Sequence, residues 1–133
     1  TVSAFIVDIK PSGTDVKTAI LQKSIYEKFK RNEKLSENEI FLLSPVREEF
    51  AKVYRYIIKG GRLRADIMSQ KIFGNTLHCG KIYVILDVLE EMSLVKTTWF
   101  GDEFKVEVIK SESKVNLENS EILKQLNEMK EVS

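Results

Sequence analysis

The chain has 133 residues, 43% hydrophobic and 31% charged, an ordinary globular composition sufficient for one sizeable core or two small ones. Its formal net charge of +1, from 21 basic against 20 acidic residues, excludes a general polycation, so any case for nucleic-acid contact rests on local patches. No apolar run reaches the length of a membrane span and no basic-then-apolar leader opens the sequence, so the expectation is a soluble, cytoplasmic protein with no membrane partner.

The chain opens with "TVSAFIVDIK", in which Ser3 to Ile9 is rich in β-branched and aromatic residues and closes at the turn residues Pro11, Ser12 and Gly13. This predicts a buried strand. From a cap at Asp15, Val16 and Ile20 stand one helical turn apart, and "SIYEKFK" then alternates Ile25, Glu27 and Phe29 against Tyr26 and Lys28, predicting strand, helix, strand. Two strands do not make a stable parallel sheet, and the chain starts inside an element without a Met, so residues 1–43 read as a truncated α/β segment cut from something longer. "RNEKLSENEI" (Arg31 to Ile40) reads as its polar linker.

At Ser44 and Pro45 the character changes. Ser44 is placed to cap a helix, Pro45 suits the first helical position, and Glu48 and Glu49 favour the positive end of the dipole. Phe50, Val53, Tyr54, Ile57 and Ile58 follow at helical spacing until Gly60-Gly61 stops the helix. "LRADIMSQKIFGN" predicts a second helix, and Lys81 to Met92 a third, with Ile82, Ile85, Leu86, Leu89 and Met92 on its buried face. "LVKTTWF", "GDE" and "FKVEVI" make a β-hairpin. The expected fold is therefore mixed, α+β or α/β: a partial strand-helix-strand unit (1–43), a winged-helix-like domain of three helices and a hairpin (44–110), and a tail (111–133) with a short helix from about Ser120.

Catalysis finds little support in these residues. His78 and Cys79 are adjacent and point in different directions in any regular element, so a nucleophile pair would need unusual backbone geometry. A small buried Cys beside a solvent-facing His is the expectation. The sequence has no Gly-rich phosphate loop, His-x-x-x-His or nucleophile elbow, and too few soft ligands for a structural zinc. No catalytic residue and no metal ligand is assigned. Adjacent acids such as Glu48-Glu49 and Asp102-Glu103 read as solvated surface.

Basic residues carry more. Lys52, Arg55, Lys59 and Arg62 recur at spacings of three, four and three along the first helix of the 44–110 unit and its exit, with Arg64 just beyond, a stripe suited to a phosphate backbone. Trp99 and Phe100 at the hairpin tip offer ring faces on which unpaired bases stack. The third helix is acidic instead: Lys81 stands against Asp87, Glu90 and Glu91, which argues against its lying in a major groove. Its Tyr83-Val84 edge, with those three acids, is the candidate surface for a protein partner.

The order "SIYEKFKRN", "LSPVREEFAKVYRYI", "GKIYVILDVLEEMSLVKTTWFGDEFKV", "NLENSEIL" resembles the C-terminal domain of the longer bacterial form of the RecJ family, single-strand-specific 5′ to 3′ DNA exonucleases. The matching positions are Ile25, Tyr26 and Phe29; Pro45, Arg47, Phe50 and Tyr54; Ile82, Leu86, Val88, Leu89, Glu91 and Val95; and Leu117 and Ser120. The resemblance implies DNA repair and recombination, with an upstream phosphoesterase core that carries Asp-His-His type motifs and manganese or magnesium. With one His, this chain contains none of those motifs, so no cofactor is assigned to it. The implied task is accessory: modulating single-stranded DNA binding, or docking single-stranded-DNA-binding protein or a helicase, alongside the catalytic core of the same polypeptide. A winged-helix transcriptional regulator on duplex DNA and a pure protein-interaction module are the alternatives.

Overall fold

A computed structural model describes residues 13–109 and 117–132 of the chain. Among them the architecture is mixed α+β, six helices and a three-stranded antiparallel sheet. The predicted strand at Ser3 to Ile9 lies outside the described residues.

The first departure from expectation is α1, Gly13–Lys30, an 18-residue helix that absorbs the segment predicted as a second strand. Ile25 and Phe29 fit a strand's period of two, but they also fit a helical turn, and Gln22, Ile25 and Phe29 form the buried stripe while Glu27 is exposed. The presumed linker also contains a helix, α2, Glu37–Leu43. Ser36 and Glu39 form a reciprocal capping box, the Glu39 amide donating to Ser36 Oγ at 3.2 Å and the Ser36 amide to Glu39 Oε1 at 2.8 Å. That cap and the burial of Ile40 and Leu43 hold a helix of seven residues that has no long apolar stripe.

Ser44 does not start the next helix. It closes α2, its Oγ donating to the Ile40 carbonyl at 2.7 Å, and the helix α3, Arg47–Ile57, begins after Val46 with Glu49 Oε1 accepting from the Val46 amide at 2.7 Å. Gly60 and Gly61, at φ 84° and 86°, turn the chain out of α3 into β1, Leu63–Arg64. Then follow α4, Ala65–Phe73, stopped by Gly74 at φ 84°, and α5, Cys79–Glu91. The hairpin β2, Val95–Phe100, and β3, Glu103–Val108, turns at Gly101 with φ 71°, where hairpin turns favour glycine. The sheet order is β1-β3-β2, with Leu63 opposite Phe104 and Trp99 opposite Phe104. A 3₁₀ turn, Leu117–Asn119, leads into α6, Glu121–Val132.

Helix α5 is the centre of this arrangement. Every residue from Cys79 to Leu89 except Asp87 is buried, and α5 is contacted by α1, α2, α3, α4, α6 and β2. Gly80 permits a close approach of α1 and α2, because a Cβ there would stand 2.7 Å from Leu43 Cδ2 and 2.9 Å from the Gln22 carbonyl oxygen. One continuous apolar cluster runs from Ile25 on α1 through Phe104 on β3 to Leu126 on α6. No helix among the described residues is long and apolar enough to cross a membrane.

Candidate nucleic-acid interface

The three acids of α5 that argue against a groove-reading helix are engaged within the chain. Asp87 accepts a hydrogen bond from the Tyr26 hydroxyl and pairs with Lys30 at 3.4 Å, which ties α5 to α1. Glu90 Oε1 accepts from the Thr97 amide at 2.8 Å, on the free edge of β2, so it occupies a donor that an edge strand would otherwise offer to another chain. Glu91 accepts from Ser120 Oγ at 2.6 Å and the Glu121 amide at 2.8 Å, which caps α6. Their partners are 61, 7 and about 30 residues away, so no local pattern in the sequence foretells these roles.

Tyr83 and Val84, the expected protein-contact edge, are 7% and 0% exposed and belong to the core. That edge is therefore not an open surface: α1 packs against it, and Tyr26 stacks on Tyr83 at 5.0 Å between ring centroids. Burial pushes the Tyr83 phenol up to about 12. It likewise raises the Tyr26 phenol, with the Asp87 carboxylate beside it adding to the shift.

The basic stripe divides in two. Lys52, Arg55 and Lys59 are exposed along α3 and pair with no carboxylate among the described residues, Lys59 lying 5.5 Å from the Tyr56 ring. Arg62 and Arg64, in contrast, are already partnered. Arg62 reaches Glu103 at 3.1 Å with its guanidinium 4.7 Å from the Phe100 ring, and Arg64 holds Asp66 through two hydrogen bonds at 3.1 and 3.0 Å, which keeps its pKa above the ordinary arginine value. The exposed Arg62 pair contributes about 1 kcal/mol or less, a contact that a phosphate can replace. Lys81, outside the stripe, is internal: its Nζ meets Glu49 Oε2 at 3.0 Å, with side chains only 7% and 15% exposed.

Trp99 ends an aromatic row. Its ring stacks on Tyr83 at 5.5 Å and tilts against the fully buried Phe104 at 4.9 Å, leaving it 45% exposed. Phe100 alternates to the opposite side of the sheet, where Lys96, Thr98 and Lys105 are also exposed. Lys96 and Lys105 pair with no carboxylate among the described residues, and the alternation of the hairpin sequence is the signal by which they can be found.

The residues closest to catalytic chemistry are quiet. His78 is half-buried: its ring packs on Phe73 at 4.7 Å, its Nδ1 is buried without a hydrogen-bond partner among the described residues, and desolvation, then the Lys81 charge, lower its pKa. Burial pushes the Cys79 thiol up to about 12, which favours the thiol over the thiolate at neutral pH. Cys79 and Tyr83 line a cleft of about 180 Å³ whose charges neutralise one another, Lys23 against Asp102 at 3.4 Å and Arg64 against Asp66. Among the described residues no group of three or more His, Cys, Asp or Glu is placed to hold a metal ion. No family model, curated protein or solved structure matches this chain.

Proposed function

We propose that the chain is a cytoplasmic, non-catalytic accessory domain of a single-strand-specific DNA exonuclease of the RecJ kind, and that it holds single-stranded DNA through α3. The observation that carries this reading is the stripe Lys52, Arg55 and Lys59: three exposed cations at helical spacing with no carboxylate partner among the described residues, on a chain whose net charge is only +1. Such a stripe attracts phosphates without reading bases.

The order helix, strand, helix, helix, strand, strand from α3 to β3, with the short β1 beside β3, supports a winged-helix relationship for this part of the chain. A duplex-reading regulator draws less support, since α5, the element that would lie in a major groove, offers solvent little beyond Glu90 and Glu91. Manganese or magnesium belongs to the catalytic core of the parent enzyme in this reading, and a helicase or single-stranded-DNA-binding protein is the partner class to test next.

Fluorescence anisotropy of the 133-residue chain with a labelled single-stranded oligonucleotide, titrated from low to moderate salt, tests the reading. Binding with a steep negative log-log salt slope, and no nuclease activity on added manganese, is expected. Absence of binding at low salt sinks the DNA reading in favour of protein docking.

A further inference from the structure

Strand alternation gives the hairpin two unlike aromatic residues. Trp99 points inward with Leu63 and Phe104, and its ring lies against Tyr83 and Phe104, so it is part of the core's outer wall. Phe100 points outward in the row Arg64, Glu103, Phe100, is 42% exposed, and has the Arg62 guanidinium 4.7 Å from its ring centroid. Lys96, Thr98, Lys105 and Glu107 on the same side are all exposed, so no described element covers this face of the sheet.

The charge on that face favours an anion. Glu103 is engaged by Arg62 and Arg64 is held by Asp66, while Lys105, opposite Thr98, and Lys96, opposite Glu107, are exposed further along the same face. The face also continues the α3 stripe in sequence, because Lys59 is followed by Gly60 and Gly61 and then by Arg62.

We propose, resting on the single-strand reading above, that the outer face of the three-stranded sheet is a second contact for single-stranded DNA and that Phe100 is the residue on which an unpaired base stacks. A base on the open side of the ring adds a stacking contact, Arg62 holds the ring from its own side, and Lys96 and Lys105 meet the adjoining phosphates. A duplex keeps its bases inside its own stack, so Phe100 favours single strands over duplexes where the α3 stripe alone does not.

The test compares Phe100→Ala and Phe100→Tyr with the unaltered chain on three labelled probes of equal length: an oligo-dT strand, the same strand with its bases removed, and a blunt duplex. Phe100→Ala is expected to weaken oligo-dT binding about tenfold, to leave abasic-strand and duplex binding unchanged, and Phe100→Tyr to retain the single-strand affinity. If Phe100→Ala binds oligo-dT as well as the unaltered chain while a Lys52→Ala, Arg55→Ala, Lys59→Ala variant loses binding, the stacking role is overturned and the phosphate stripe stands. If Phe100→Ala loses duplex and abasic binding to the same extent, the stacking role is likewise overturned. No oligo-dT binding by the unaltered chain overturns both.

Discussion

The acids of α5 and the bases of α3 recur at similar helical spacing and lie on neighbouring helices, yet their surroundings are opposite. Asp87, Glu90 and Glu91 each accept hydrogen bonds from a different element, α1, β2 and the start of α6, and so act as joints between α5 and what covers it. Lys52, Arg55 and Lys59 face solvent with no carboxylate partner among the described residues. Charge of one sign is built into the fold and charge of the other is left available. The difference teaches that a charged helix face is interpretable only once its partners are known, since both sets recur at spacings that a helix brings to one side.

The sharpest way to break this comparison is at the internal side. Glu49→Ala leaves Lys81 buried and unpaired and removes the acceptor for the Val46 amide, and it should cost about 3 kcal/mol or more in chemical denaturation. An effect near zero would mean that Lys81 reaches water in solution.

Alkaline pH acts on the same interior. In the unfolded chain the Cys79 thiol ionises near 9 and the Tyr83 phenol near 10, while in the folded protein both keep their protons until about pH 12. The unfolded state therefore binds fewer protons over that window, and stability should fall as pH rises from 9 to 12. The thermal midpoint followed by circular dichroism checks this, and Tyr83→Phe should shrink the part of the loss above pH 10.

A smaller effect separates the two helices directly. Glu91→Ala removes two charge-assisted hydrogen bonds at the start of α6 and should cost about 1–2 kcal/mol, whereas Lys52→Ala should change stability by less than about 0.5 kcal/mol. Equal costs in urea denaturation would erase the distinction between them.

Much of the fold was legible where periodicity and punctuation agree. Helix α3 has its apolar stripe and its Gly60-Gly61 stop, α4 its Gly74, and the hairpin its Gly101, and each stands close to its expected place. Ile25 and Phe29 misled because a spacing of four satisfies a helix and a strand at once, and the arbiter, burial of Gln22 one turn earlier, is a tertiary fact. Helix α2 was hidden by its polarity, although Ser36 and Glu39 carry the capping-box signature openly. Of the candidate site, the exposed α3 cations were legible from spacing. The burial of Tyr83 and Val84 and the division between Trp99 and Phe100 were not, because they depend on α1 packing across α5 and on which face of the sheet meets the core.

The most direct test of the account is the salt dependence of oligo-dT binding by the unaltered chain and by the Lys52→Ala, Arg55→Ala, Lys59→Ala variant, with the thermal midpoint of each measured in the same buffer. Three lost phosphate contacts should make the log-log slope shallower by about 2 while the midpoint stays unchanged. An unchanged slope, or a loss of binding matched by a fall in the midpoint, would contradict the claim that these three cations are free of the fold and meet phosphates.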